Sequence, residues 1–149
     1  MASKFKHRNL PLLMLQARER VIGRFRPLLH ANGLTEQQWR ILRVLADFGP
    51  LEPRQIGELC RLSSPSLAGV LARMEEMGLI ARERLAHDQR RVLVSASSRS
   101  RALAARMAPK IDAIYAGIEA ELGPKATREL YGALDTLIAT LAPDGVAED

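Results

Sequence analysis

In the segment HDQRR, residues 87–91, an imidazole, a carboxylate, an amide and two guanidinium groups follow one another with no apolar side chain between them. Such a set is built to bind an anion rather than to break a bond. A guanidinium presents five donors in a rigid fork and stays charged at physiological pH. It suits phosphate, and it suits the minor groove of DNA, whose potential becomes more negative where A·T tracts narrow it. Arg90 or Arg91 is the candidate cation, and Asp88 can fix its rotamer through a bidentate pair. The competing reading is a solvated loop, for which charged residues are normal.

Other chemistries find little support. His7, His30 and His87 are scattered, without metal-ligand spacing. There is no glycine-rich phosphate loop and no serine-centred nucleophile motif, so the expectation is a protein that is not an enzyme and needs neither cofactor nor metal. The single cysteine, Cys60, excludes an internal disulfide and a cysteine-based zinc cluster. Its place between Leu59 and Leu62 reads as packing rather than as a redox switch.

The charge agrees with an anionic partner. The chain has 149 residues and a formal net charge of +5. Residues 1–53 carry 9 Lys/Arg against 4 Asp/Glu and residues 54–106 carry 10 against 5, whereas residues 107–149 carry 3 against 8. A basic body with an acidic tail points to a polyanion. No apolar run approaches the roughly 18 residues of a membrane span. The basic start MASKFKHRNLPLLML runs into QARER without a small-residue cleavage site, so no signal peptide, no membrane partner and a cytoplasmic location are expected. One domain over 1–149 is expected, with loose ends over the first nine and last eight residues.

The elements that would position these groups are legible. Residues 10–31 show helical rows Met14, Val21, Phe25, Leu28 and Leu15, Ile22, Leu29, ended by Asn32-Gly33. In LTEQQW, Thr35 and Gln38 form a capping box, with Leu34 and Trp39 spaced as a hydrophobic staple. That helix runs to Phe48, before Gly49-Pro50. Glu36/Arg40 and Arg43/Asp47, four apart, read as surface pairs. Pro53 opens a short helix over 53–60 with Ile56, Leu59 and Cys60 inward. Ser63 or Ser64 caps the next, with Pro65 just inside and Leu67, Val70, Leu71 and Met74 as its apolar stripe. It runs to Met77, and Gly78 ends it.

Two helices joined by about four residues are a helix-turn-helix pattern. LIARERL and RVLVS follow as short strands, with HDQRR near the tip between them, which makes the motif winged. Helices over 97–121 and 124–141 close the chain. The first carries Leu103, Met107, Ile111, Ile114, Ile118 and Leu122 on one stripe, and the second turns Leu130, Leu134, Leu137 and Leu141 inward. Pro27 and Pro109 fall inside helical patterns and predict local distortion. The fold class is therefore mainly α with a small β-hairpin: a winged helix-turn-helix lobe over 35–96, with helices over 8–31 and 97–141 available for dimerisation. These outer helices have more apolar surface than the lobe can cover, which favours a homodimer over a monomeric helical core. Such a dimer would set two recognition helices about one turn of double-stranded DNA apart and read an inverted repeat.

The helix after the turn is the candidate recognition helix. Small and polar residues at its start, Ser63, Ser64, Pro65, Ser66 and Gly69, permit close approach to base edges, and Arg73 lies on the same outer side. Its free backbone N–H groups favour phosphate. The alternative is an ordinary amphipathic helix with a Ser-Pro start. Arg18 is conspicuous because it falls on the apolar row of the first helix. It can pair with a carboxylate such as Glu19 or Glu36 of either chain, extend to solvent, or receive an anionic ligand.

The order of elements, RMEEMGLI at 73–80 and the D-x-R of 88–90 resemble the multiple antibiotic resistance regulator (MarR) family over nearly the whole chain. The resemblance implies a winged-helix homodimer, usually a repressor, in many cases released from DNA by a small phenolic or aromatic acid. It assigns Arg90 to the minor groove, Asp88 to its acidic partner, and Pro65 and Ser66 to the recognition helix. LLMLQARER, FRPLL, LTEQQWRILR and PSLAGVLARME are similar to regulators of homoprotocatechuate degradation operons. That likeness implies repression of an aromatic catabolic operon. It also implies a pocket in which Arg18 takes an effector carboxylate and Trp39 stacks on its ring, with Arg40 beside them. Two departures stand out: SASSRS at 95–100 replaces Leu-Thr-x-x-Gly, leaving the start of the fifth helix open, and Gly69 stands where some members have a long side chain. An effector-independent or redox-controlled DNA-binding regulator remains the alternative function.

Overall fold

The structure, a computed structural model, describes residues 4–143. The expected loose ends fall partly outside them. The elements run α1 (Leu10–Ala31), α2 (Glu36–Phe48), α3 (Pro53–Cys60), α4 (Ser64–Glu76), β1 (Ile80–Leu85), β2 (Asp88–Ala96), α5 (Ser98–Leu122) and α6 (Pro124–Thr140). The chain divides into two compact units that part between Ile111 and Asp112.

Local chemistry explains most boundaries. Asn9 accepts the Leu12 N–H at 3.1 Å and starts α1. The Asn32 amide returns to the Leu28 carbonyl at 2.8 Å, and Gly33 takes φ 71° to leave the helix. The Thr35–Gln38 capping box forms as the sequence predicts, with reciprocal bonds of 3.0 and 3.1 Å. Both α1 and α5 continue through their internal prolines, Pro27 and Pro109.

The first unit is organised around the helix-turn-helix. Ile41, Leu42 and Leu45 of α2 are buried, as are Ile56 and Cys60 of α3 and Leu67, Leu71 and Met74 of α4. Phe25 and Leu29 of α1 and Val94 of β2 are also buried. Each large apolar side chain withdrawn from water contributes about 1.5–3 kcal/mol before entropy is counted. The turn between α3 and α4 is tight. Arg61 adopts the left-handed conformation (φ 57°, ψ 49°), and the Leu62 N–H reaches the Gly57 carbonyl at 3.0 Å. A Cβ on Gly57 would stand 3.2 Å from the Leu62 carbonyl oxygen and 3.3 Å from Leu67 Cδ2, so glycine permits this closeness.

The wing is an antiparallel pair, β1 with β2, in which Arg82 faces Val94 and Leu85 faces Asp88, with an irregularity between Arg84 and Leu85. Leu51 adds a bridge to Val94, with bonds of 3.0 and 2.7 Å in the two directions. This third edge has no counterpart in the sequence reading, because one paired residue leaves no periodicity. The start of α5 is settled by Ser97, whose hydroxyl accepts the Ser100 N–H at 3.1 Å and donates to the Gly78 carbonyl at 2.6 Å. One serine thus caps α5 and ties it to the end of α4.

Four expectations are corrected. HDQRR is not a loop: β2 begins at Asp88, leaving Ala86 and His87 as the turn. Leu59 is exposed, because Ile56 and Cys60 take the inward face of α3. Ser63 occupies the N-cap position of α4 without capping through its side chain, since its hydroxyl donates to Ser66 Oγ at 3.0 Å. Leu130 and Leu134 of α6 and Leu141 just after it are exposed, and no residue of α6 is buried. On α5, Leu103, Met107 and Ile111 are buried, whereas Leu122 is exposed.

Candidate nucleic-acid interface

On β2, Arg90 projects into solvent with 92% of its side chain exposed. Asp88 holds its base. One carboxylate oxygen, Oδ1, accepts both the Arg90 backbone N–H at 3.1 Å and its Nε–H at 3.3 Å. The expected bidentate pair therefore does not form, because the carboxylate divides its acceptance between main chain and side chain. Nε is thus engaged at the base of a side chain that otherwise stays in solvent.

Arg91, the other candidate, is placed differently. Its Nε lies 2.6 Å from Glu52 Oε1, at the N-cap of α3. This hydrogen bond is the main reason the Glu52 carboxyl titrates below its ordinary 4.5, and it raises the Arg91 pKa in return. Arg91 therefore braces the wing against the helix-turn-helix. A second brace joins β1 to α4, where Arg82 Nε and Nη2 each reach a Glu75 oxygen at 3.3 Å. Neither Glu52 nor Glu75 was singled out in the sequence. Glu52 is 39 residues from Arg91, and Glu75 and Arg82 lie on different elements, a helix and a strand, so no single local periodicity marks either pair.

At the start of α4, Ser63, Ser64, Pro65 and Ser66 are exposed, as are Gly69 and Arg73 farther along. A Cβ on Gly69 would meet nothing within 4 Å, so glycine there is not required by packing. The structure thus brings an exposed helix start and an exposed arginine into the same unit, with Arg82 and Arg91 as ties between them. These are the parts a winged helix needs to address a major groove and the adjoining minor groove.

The candidate effector residues lie on α1 and α2. Arg18 is half-exposed rather than buried, and its guanidinium contacts Glu36 directly and Glu19 at 3.8 Å. Arg40 reaches the same Glu36 oxygen at 2.9 Å and the Cys60 carbonyl at 2.7 Å. Arg18 and Arg40 thus meet on one carboxylate, while Trp39 is half-buried on α2. The Arg43–Asp47 pair also forms, at 3.3 Å. Cys60 is fully buried, and desolvation raises its thiol pKa despite the opposing charge of Arg40. Among the described residues, no group of three or more His, Cys, Asp or Glu could hold a metal, and no helix is long and apolar enough to cross a membrane.

Comparison with known proteins supports the same assignment. The MarR family model matches residues 32–91. The chain is 37% identical to the HTH-type transcriptional regulator FarR of Neisseria gonorrhoeae, over 95% of this chain and 94% of that protein. It is 36% identical to the homoprotocatechuate degradative operon repressor of Escherichia coli, over 89% and 90% of the two chains. The solved structure of NadR in complex with 4-hydroxyphenylacetate superposes with a TM-score of 0.78 at 35% identity, covering 97% of this chain and all of that one. With six helices and a two-stranded wing among its described residues, the chain belongs to the MarR family of transcriptional regulators.

Proposed function

We propose that the protein is a homodimeric DNA-binding repressor of an aromatic-acid catabolic operon, released by a small phenolic or aromatic carboxylic acid. The observation that carries the DNA-binding part is Arg90, extended from β2 and held at its base by Asp88. Ser63, Ser64, Pro65, Ser66, Gly69 and Arg73 would meet the major groove, Arg90 the minor groove, and Arg91 the backbone nearby. The whole chain, 1–149, would act as one unit, with residues 35–96 as the DNA-binding lobe.

A second copy supplies the missing cover for the outer helices, 8–31 and 97–141. Leu10, Leu12, Leu15 and Val21 on α1 and Leu130, Tyr131 and Ile138 on α6 are all exposed in one chain. Scattered exposed leucines need no explanation, but rows on helices do. The inverted repeat read by such a dimer would follow from its two-fold symmetry.

The effector class is supported by the relative that represses homoprotocatechuate degradation and by the NadR complex with 4-hydroxyphenylacetate. In this chain the carboxylate would be taken by Arg18, with Trp39 against the ring and Arg40 beside it. The test is calorimetric titration of 4-hydroxyphenylacetate into the wild type, Arg18→Ala and Trp39→Ala, with sedimentation run alongside. A dimer that binds the acid in the wild type and loses it in both variants supports the assignment. A dimer indifferent to the acid removes the effector and leaves a regulator of DNA alone.

A further inference from the structure

Arg18 cannot receive a ligand as a free cation. In the structure it already contacts Glu36, and Glu19 lies 3.8 Å away. Glu36 is shared in turn. Its Oε1 is 2.9 Å from Arg40 Nη2, and the other arm of that guanidinium, Nη1, donates to the Cys60 carbonyl at 2.7 Å. The four groups thus form one chain of contacts from α1, through the first turn of α2, to the last residue of α3. Arg61, the residue after Cys60, is the left-handed pivot from which the chain turns toward the recognition helix.

We propose that a bound aromatic carboxylate and Glu36 compete for Arg18, and that Glu36 passes the outcome through Arg40 to the end of α3. The proposal rests on the effector reading above and specifies how the site is regulated. Arg18 already has two carboxylates against it, Glu36 in contact and Glu19 at 3.8 Å, so a third anion brought to the same guanidinium is repelled by both, and entry of the ligand carboxylate displaces the nearer one, Glu36. A released Glu36 rearranges against Arg40, its remaining partner. Arg40 also accounts for a carbonyl at the C-terminus of α3, where orphan acceptors need a donor. A shift of Arg40 therefore changes what holds the turn between α3 and α4. Ligand binding and DNA binding are linked because the Arg18–Glu36 contact belongs to one state and the Arg18–ligand contact to the other.

Glu36 has the informative substitutions. Glu36→Gln removes the competing charge, so it should bind 4-hydroxyphenylacetate at least about fivefold tighter than the wild type. It should bind the operator duplex at least about fivefold more weakly without the acid, and lose most of the acid-dependent release. Glu36→Gln also removes a carboxylate from the first turn of α2, which costs stability for an unrelated reason. Glu36→Asp keeps that charge but is one methylene shorter, too short to serve both guanidinium groups, so it should show the same loss of coupling. A double-mutant cycle on operator affinity with Arg40→Met should be non-additive, the double variant being little worse than either single one.

The outcomes separate the two readings. If the wild type does not bind the acid, the effector reading fails, and the competition fails with it. If the wild type binds the acid and Arg18→Ala does not, the effector reading stands. Unchanged acid affinity and intact release in Glu36→Gln and Glu36→Asp would then overturn the competition alone. Additive losses in the cycle would overturn the link through Arg40.

Discussion

Asp88 Oδ1 accepts from two nitrogens of Arg90, the backbone N–H at 3.1 Å and Nε at 3.3 Å, while 92% of the arginine side chain stays in solvent. An exposed pair of this kind adds little to stability, since surface ion pairs contribute roughly 0–1 kcal/mol. Its value lies in reducing the number of rotamers that must be lost when the arginine enters a groove. Arg90→Ala should leave the melting temperature nearly unchanged and weaken operator binding by about 1–3 kcal/mol for each wing. Asp88→Ala should lose a smaller part of the same affinity. Anisotropy titrations of both variants read this directly, and equal affinity in Arg90→Ala and wild type would remove the wing from the interface.

Arg91 should behave differently from Arg90 because Glu52 holds it. The Arg91 hydrogen bond lowers the folded-state pKa of Glu52 from its ordinary 4.5. A carboxylate depressed on folding contributes stability that is present above its unfolded pKa and disappears as pH falls through the folded value. The wild type should therefore be more stable than Glu52→Gln at neutral pH, with the difference shrinking below about pH 4.5 and vanishing in stronger acid. Thermal melts of the two proteins across that range test it. A gap that is constant with pH would mean the pair contributes only as a neutral hydrogen bond.

The glycines of α3 and α4 give a paired test of packing. Alanine is favoured over glycine inside a helix by about 0.8–1 kcal/mol. Gly69→Ala places its methyl in open space, so it should gain close to that amount in chemical denaturation. Gly57→Ala gains the same propensity but sets its Cβ 3.2 Å from the backbone carbonyl of Leu62, which the helix-turn-helix holds in place. It should be neutral or destabilised, and Gly57→Val clearly destabilised. Equal stabilisation at both sites would show that the turn is looser than these distances imply.

Much of this lobe could be read in advance, for identifiable reasons. Thr35 and Gln38 announce α2 because a capping box is a local device, complete within four residues. Leu67, Leu71 and Met74 keep helical spacing because their helix presents a single face to one core. The wing strand was less legible. Asp88, Gln89, Arg90 and Arg91 are polar on both faces of β2, so no alternation distinguishes strand from loop. The second role of Ser97, as donor to the Gly78 carbonyl, joins residues 19 apart and leaves no local trace. Arg18 falls on an apolar row of α1, yet it is half-exposed, as Met14 and Val21 of the same row are open to solvent. Periodicity marks an apolar face, and not what covers it.

Cys60 distinguishes the alternative mode of control. The side chain is buried and its thiol is pushed above its ordinary pKa by desolvation, so little thiolate is present at neutral pH. Reaction with a thiol-specific disulfide reagent should be slow in the folded protein and rapid after denaturation. Operator affinity should not change after mild peroxide treatment. Fast labelling of the native protein, together with peroxide-sensitive DNA binding, would favour redox control over an aromatic effector.

The most direct measurement is a titration of the wild-type protein with duplexes from upstream of its own and neighbouring genes. It should be run at several salt concentrations, with and without 4-hydroxyphenylacetate and 3,4-dihydroxyphenylacetate. Tight binding to one such duplex is expected, falling steeply with salt as phosphate contacts release counterions, and weakened by one of the acids by about 5–150-fold. Binding no tighter than to random duplex, at every salt concentration and with either acid, would contradict it.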